Sequence, residues 1–470
     1  MFDHILGQPA TAQLAADFEQ GKLPPSILFA GPASSGKGTT ALELARMVSC
    51  AGYLSAGYSS AGYSSAGHSC GGAGADCDCP SCVRHRLLSH PDLLCLGPRD
   101  FSAEIAGAAD AFARAVEGGH DVNARERTFV LSLKKLLARF AVVLWEDDPK
   151  FGKLTNLILA LEEDVEEISA LKKSGAETAR KRCAAILKDA VKLEAEGIAD
   201  TIPINQIRRA AAWAHLAPSG ERKTALIENA DRMQEGARNS LLKILEEPPA
   251  ALSIILTTCH EQALLPTILS RVRPYRFVQR PLETEAEVIR RVFGAREPES
   301  AKNALSIAAY LKTFLPVTDD ALRPLAAYLA ASVAMTTILR LRRPASALPW
   351  ELTALGKYAA PIAEAAGLGR PVKNMQVLIE KLLASTGNFE MRGLFSRFLQ
   401  TLLALVGESL AAAPVDARGG AAGFSPAYLD IWRNCAAEAG VSVYYNQKPA
   451  ATLNRLTTEA RRAMAALWRV

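Results

Sequence analysis

Leu28-Phe29-Ala30-Gly31-Pro32-Ala33-Ser34-Ser35-Gly36-Lys37-Gly38-Thr39-Thr40 runs from an apolar strand through glycines into a helix, and the reading of the fold follows from it. To hold a polyphosphate, successive backbone N–H groups must curl around it at a helix N-terminus. Glycine permits that curl because it has no Cβ, and a lysine adds a mobile positive charge. Gly31, Gly36 and Lys37 stand at the G-x-x-x-x-G-K spacing of a phosphate-binding loop. The next position departs from the pattern. Gly38 stands where a Ser or Thr hydroxyl would hold magnesium, and Thr39 points about 100° further round the helix. The expectation is a phosphate cradle of Gly31, Ser35, Gly36, Lys37, Gly38 and Thr39 that lacks its metal ligand. The plainer alternative is a glycine-rich turn with no ligand.

Outward from the loop, strands and helices alternate. Leu14 and Phe18 mark a helix within residues 10–22, Gly21 and Pro24-Pro25 punctuate, and Ile27–Ala30 forms a strand before the helix Thr40–Val48. His90–Leu96 reads as a second buried strand by its unbroken apolar run. Ile204 starts a helix. Thr224-Ala225-Leu226-Ile227-Glu228-Asn229-Ala230-Asp231 is then an apolar strand with a polar end, where a phosphate-loop ATPase carries its magnesium-binding Asp and catalytic Glu. Here the pair is Glu228-Asn229, and the amide of Asn229 cannot act as a base for water. Ser253–Thr258 is a further strand, and Leu269–Pro274 closes the unit before Phe277. Strands alternating with helices predict a parallel α/β sheet with its polar strand ends at one edge.

Two stretches interrupt this pattern. Residues 51–70 are four near-copies of a pentapeptide, too short a period for a stacked solenoid, and read as a low-complexity insertion. Cys77-Asp78-Cys79-Pro80-Ser81-Cys82 follows. Four thiolates can close a tetrahedral zinc site, with Cys50 as the natural fourth ligand and Cys70 and His68 as rivals for that place; the plainer alternative is free or redox-sensitive thiols. Residues 97–200 carry three amphipathic helices, marked by Leu133–Leu144, Leu154–Ile168 and Ile186–Leu193, and read as a helical insertion. From residue 281 the chain is all-helical. Arg340–Pro344 is a hinge candidate, Met375–Leu383 and Leu394–Val406 are helices, and Ala411–Gly423 is a loop.

With 470 residues, 49% hydrophobic and 22% charged, the chain is long enough for about three globular domains. The net charge of +5 is too mild to argue nucleic-acid binding from charge alone. Met1-Phe2-Asp3-His4 is not a basic n-region, and no uncharged apolar run reaches membrane-spanning length, so a cytoplasmic location without a membrane partner is expected. In a reducing compartment five clustered cysteines suggest metal rather than disulfides.

In this order, Ile5-Leu6-Gly7-Gln8, Gly21-Lys22-Leu23-Pro24, the phosphate loop, the cysteines, Asn205-Gln206-Ile207-Arg208, Ala230-Asp231-Arg232-Met233, Asn239–Pro249 and Leu265–Arg271 resemble the AAA+ subunits of the bacterial DNA polymerase III clamp loader. The resemblance covers residues 1–50, 77–96 and 201–280. It implies an α/β P-loop (AAA+) parallel-sheet domain over 1–280, with a zinc module at 50–85 and the insertion at 97–200. A helical lid at 281–345 and a helical collar at 346–470 would follow as two small all-α domains. Gly38, Glu228 and Asn229 depart from the gamma/tau motor pattern in the direction of the delta-prime kind, which is similar but degenerate and lends an arginine to a neighbour. Arg271 matches that arginine, with Val272 in place of the usual Cys.

The resemblance therefore implies a subunit with little or no hydrolysis of its own. It would help load the sliding clamp onto primer–template DNA beside gamma/tau and delta subunits, with ATP retained weakly or not at all. Arg208 could contact a DNA phosphate. The alternatives are a motor-type clamp-loader ATPase and a stand-alone AAA+ remodeller. For Arg271 the plainer alternative is an ion pair within its own domain.

Overall fold

The computed structural model describes residues 2–50, 77–199, 201–295, 305–314, 319–340, 391–411, 426–444 and 449–467. The pentapeptide repeat, Cys70 and His68, residues 341–344 of the hinge candidate, Met375–Leu383 and nearly all of the loop Ala411–Gly423 lie outside the described residues. The described chain divides into two compact units, Met1–Phe314 and Leu315–Val470.

The first unit is built on five parallel strands: β1 (Ser26–Ala30), β2 (Leu93–Leu96), β3 (Lys223–Ile227), β4 (Leu252–Thr258) and β5 (Arg273–Arg276), in the order β2-β3-β4-β1-β5. This is the α/β phosphate-loop architecture that the alternation of apolar runs predicts. β1, β3 and β4 are buried throughout, as both faces of a parallel sheet are covered by helices. β5 escapes a reading by apolar pattern because its sequence is Arg-Pro-Tyr-Arg. Pro274 is tolerated there because β5 pairs with β1 alone and forms an edge.

Alternation along β1 divides the core. Ile27 and Phe29 face Leu14, Phe18, Ala41, Leu44 and Met47 on one side, in a cluster that also takes in Cys50, Cys77 and Cys82. Leu28 and Ala30 face the other side, where Phe112, Phe129, Leu133, Leu161 and Ile186 join the same cluster as the sheet residues. The insertion is thus helical as expected, and it forms one continuous core with a face of the sheet.

Within the insertion two details differ from the periodicity. Ser102–Gly118 is a helix that the Ala- and Gly-rich sequence hides from an apolar-stripe reading. The amphipathic run Leu133–Leu144 is not one helix: Val122–Leu137 ends in a 3-10 turn, Ala138–Phe140, before the short helix Val142–Trp145. The indole of Trp145 donates to the Arg139 carbonyl at 2.8 Å and holds that turn. Helices Leu282–Phe293 and Ile307–Lys312 belong to the same unit, where Arg125 donates to the Arg291 carbonyl at 2.5 Å and Arg114 donates to that of Phe293 at 3.2 Å.

The second unit contains the helices Asp319–Arg340, Met391–Ala411, Pro426–Tyr444 and Pro449–Leu467, packed around Tyr328, Phe395, Phe398, Trp432 and Met464. Residues 319–340 pack with this bundle, while residues 282–314 pack with the first unit.

Candidate functional site

Every strand of the first unit points its C-terminal end at the same edge, and there the sequence supplies Gly31 after β1, Gly97-Pro98-Arg99 after β2, Glu228-Asn229 after β3 and Cys259 after β4. This edge is where open α/β sheets bind ligands. The loop Gly31–Gly36 follows β1 and opens the helix Lys37–Val48. Gly31 and Gly36 are needed as glycines. Their φ values are +148° and +98°, and a Cβ would stand 2.3 Å from the Phe277 carbonyl oxygen at Gly31 and 2.7 Å from an Arg280 nitrogen at Gly36.

Arg280 is a part of this cradle that the sequence reading missed. It is buried, and it donates to the carbonyls of Leu6 and Ser34, both at 2.7 Å, clamping the loop from behind. Lys37 is also buried, with its ammonium donating to the carbonyls of Gly31 (2.7 Å) and Pro32 (2.5 Å), to Ser35 Oγ (3.4 Å) and to Cys259 Sγ (3.7 Å). Burial pulls its pKa below the usual lysine value, against the opposing pull of Cys259, Glu228 and Asp231. Thr39 is exposed, and Thr40 spends its hydroxyl on the Gly36 carbonyl at 3.0 Å.

The catalytic end of the site is rearranged. A Cβ added at Gly38 would lie 2.8 Å from Glu228 Oε1 and 3.4 Å from an Arg99 nitrogen, so the space for a metal-holding hydroxyl is filled. Glu228 is buried and paired with Arg139 of the insertion and, at 3.4 Å, with Arg99. Burial alone would raise the Glu228 carboxyl, but the two guanidiniums outweigh it and hold the carboxyl below its usual range. Arg99 and Lys135 do the same to Glu104, which burial would raise and which they bring down to about 2. Both arginines stand near the Phe101 ring, at 5.7 and 5.4 Å from its centroid. Asn229 turns its amide away to donate to the Pro98 carbonyl at 2.7 Å. A divalent cation of the kind the fold family implies does not fit these residues.

Arg271 follows the short helix Pro266–Leu269. Its guanidinium donates to the Thr267 carbonyl at 2.8 Å and pairs with Glu246 at 2.8 Å, and its side chain is 34% exposed. The ion pair within its own domain is therefore present. A pair this exposed contributes about 0–1 kcal/mol, which does little to hold the guanidinium back from a phosphate. Arg273, by contrast, pairs with the buried Asp17 at 2.7 Å, and Asp17 also accepts from Tyr275.

On the face of the sheet away from the insertion, the sulfurs of Cys50, Cys77, Cys79 and Cys82 all lie within 4.8 Å of one another. The separations Cys50–Cys77, 3.8 Å, and Cys50–Cys79, 4.0 Å, are near the edge of about 3.8 Å that a tetrahedron with metal–sulfur bonds of about 2.3 Å would have. Cys79 caps the helix Pro80–Arg86 and accepts from the Cys82 N–H at 3.4 Å. Arg46, buried and braced by Glu43, donates to Cys82 Sγ at 3.0 Å. Four sulfurs with a buried cation to offset their charge suit a soft tetrahedral ion, and Cys50 stands in the fourth place.

Arg46, Arg99 and Arg139 carried no motif. The available signal was a charged residue next to a strand end or inside an apolar stripe, and nothing in the sequence names its partner. Arg208 stands exposed on the helix Ile204–His215.

The family described as DNA polymerase III, delta subunit, matches residues 154–281, a segment that contains Glu228, Asn229 and Arg271. Over 80 residues the chain is 39% identical to DNA polymerase III subunit delta' of Pseudomonas aeruginosa, a match that takes in 17% of this chain and 24% of that protein. The chain thus spans about a quarter of the length of the curated relative it matches. A solved structure of a DNA polymerase III, gamma subunit-related protein from Thermotoga maritima is similar over 56% of this chain and 80% of that one, at 17% identity and a TM-score of 0.25. Among the described residues, no helix is long and apolar enough to cross a membrane.

Proposed function

We propose that this chain, whose residues 154–281 match the family described as DNA polymerase III, delta subunit, is a delta-prime-type member of a clamp loader. In this reading it joins gamma/tau and delta subunits in an oligomeric ring that places the sliding clamp on primer–template DNA. It hydrolyses ATP weakly or not at all, and its cradle keeps affinity for nucleotide phosphates. Its contribution to catalysis is Arg271, offered to the ATP of a neighbouring subunit, where an arginine supplied in trans is typically worth about 10³–10⁵ in rate.

One observation carries the reading: Glu228 is consumed by Arg99 and Arg139 and Asn229 by the Pro98 carbonyl, so the residue pair that an ATPase uses as metal carboxylate and base supplies neither here. Arg271 meanwhile stays partly exposed, and its polar partners Thr267, Ser270 and Glu246 are not residues of the cradle. Zinc is the ion proposed for the four cysteines, as a staple that ties the end of the first helix after the loop to residues 77–86.

The experiment is to recover the full chain from extract of its own cells and identify what comes with it. The reading expects gamma/tau-like and delta-like subunits at fixed ratios. A homo-hexamer free of both would replace it with a stand-alone remodeller.

A further inference from the structure

The phosphate cradle and the metal place of this site have parted company. The cradle keeps what an anion needs: the turned loop, the buried Lys37 and the Arg280 clamp. The metal place has one carboxylate for a divalent cation, Glu228, and that carboxylate is already taken. Gly38 brings no hydroxyl, a Cβ there would already be 2.8 Å from Glu228 Oε1, and an Arg99 nitrogen lies 3.4 Å from that same point. The carboxylate that would face the cation is held by a second guanidinium, that of Arg139, which reaches it from the insertion. Arg139 is itself buried, and its Nε has no hydrogen-bond partner.

We infer that Arg99 and Arg139 take over the place of the divalent cation, so that this chain binds the polyphosphate of a nucleotide without a metal. The inference rests on the reading of the loop as a phosphate cradle. The physical reason is charge. Arg99, Arg139 and Lys135 against the carboxylates of Glu228 and Glu104 leave one net positive charge beside the cradle's rim, as a divalent ion with its facing carboxylate would in a complete site, and guanidinium nitrogens suit phosphate oxygens. An added cation would have to displace them from a buried carboxylate and then stand beside them. The insertion acquires a function in this account, because Arg139 belongs to it. The arrangement also separates binding from hydrolysis: phosphate charge is offset, but neither Gly38 nor the Glu228-Asn229 pair supplies a metal ligand or a base to orient water.

The test is calorimetric titration of the full chain with ADP, once with excess Mg²⁺ and once with EDTA, together with the paramagnetic signal of Mn²⁺ in the presence of ADP. ADP should bind at least as tightly in EDTA as in excess Mg²⁺, which competes for the nucleotide in solution, and adding protein to Mn²⁺ and ADP should produce no protein-bound Mn²⁺ signal, whereas a metal-dependent site would lose tenfold or more in EDTA. Arg99→Gln, chosen because Arg99 is partly exposed and its loss is tolerable for folding, should weaken binding in EDTA by about tenfold or more. Arg139→Gln should do the same, and circular dichroism reports whether it folds. Binding that requires Mg²⁺ overturns the inference, as does ADP binding unchanged in the folded Arg99→Gln protein. No binding in either buffer, or binding indifferent to Lys37→Ala, overturns the cradle reading itself. None of these results bears on which subunits accompany the chain from cell extract, so failure here and failure of the clamp-loader reading are told apart.

Discussion

Glu228→Gln separates a structural acid from a catalytic one. In a working ATPase this position faces a metal and solvent, and neutralising it removes activity with little effect on the fold. Here the side chain is 9% exposed and sits between Arg139, 6% exposed, and Arg99, 27% exposed. Removing one partner of a buried ion pair costs about 3–5 kcal/mol, because it leaves a charge buried and unpaired. The lower end applies, since Arg99 keeps Glu104 and Arg139 keeps its contact with the Phe101 ring, so the loss should be about 3 kcal/mol. For a unit the size of Met1–Phe314 that corresponds to a melting temperature lower by about 4–5 °C. Differential scanning calorimetry reads it directly on the transition of that unit. The double variant Glu228→Gln/Arg139→Met should recover most of the loss, because it removes the orphaned charge and keeps the volume. A single variant that melts within about 1 °C of wild type would refute the reasoning, because Glu228 would then be hydrated rather than locked.

Three further outcomes follow from the same structure. The isolated chain should hydrolyse ATP negligibly, since metal ligand and base are both missing; steady turnover abolished by Lys37→Ala would restore the motor reading. Elemental analysis should find one zinc per chain, and Cys79→Ser should lose it and loosen residues 77–86 while leaving the sheet folded; metal near zero with all four thiols titratable would remove the site. The third concerns Glu194, which accepts from the Phe101 N–H at 2.9 Å and from the Ser102 hydroxyl, and which burial, followed by the nearby Asp100, pushes up to about 7 from 4.5. A carboxyl raised in the folded state binds its proton more tightly there, so stability should fall as pH rises from about 4.5 to 7. Glu194→Gln should flatten that slope and be the more stable protein above pH 7, and an unchanged slope in thermal melts would show that another group is responsible.

The parts of this protein legible in its sequence are those encoded locally. The phosphate loop, β1, β3 and β4 declare themselves by glycine spacing and apolar runs, and the cysteines by their crowding. Cys50 could be proposed as the fourth sulfur because it ends the helix that the loop begins. What escaped was written over long separations. Arg139 and Glu228 are 89 residues apart, and neither stands in a motif that names the other. β5 owes its place to the edge it completes beside β1 rather than to its own polar, proline-containing sequence. The helix Ser102–Gly118 buries Ala and Gly, which pack closely but draw no apolar stripe. The insertion was visible as helices, but its role beside the cradle depends on the break after Leu137 that turns Arg139 inward.

The most direct measurement of the central claim is ATP hydrolysis and clamp loading by a reconstituted loader that carries Arg271→Ala in this subunit. Arg276→Ala serves as the control for loss of charge, because Arg276 makes an exposed pair with Glu261, whereas Arg273 is tied to the buried Asp17. The account predicts that the Arg271→Ala subunit folds and enters the complex, that turnover at the neighbouring site falls by about 10³ or more, and that clamp loading falls with it. A loader with Arg271→Ala that turns over ATP and loads clamps at the wild-type rate would contradict the account and leave this subunit a scaffold.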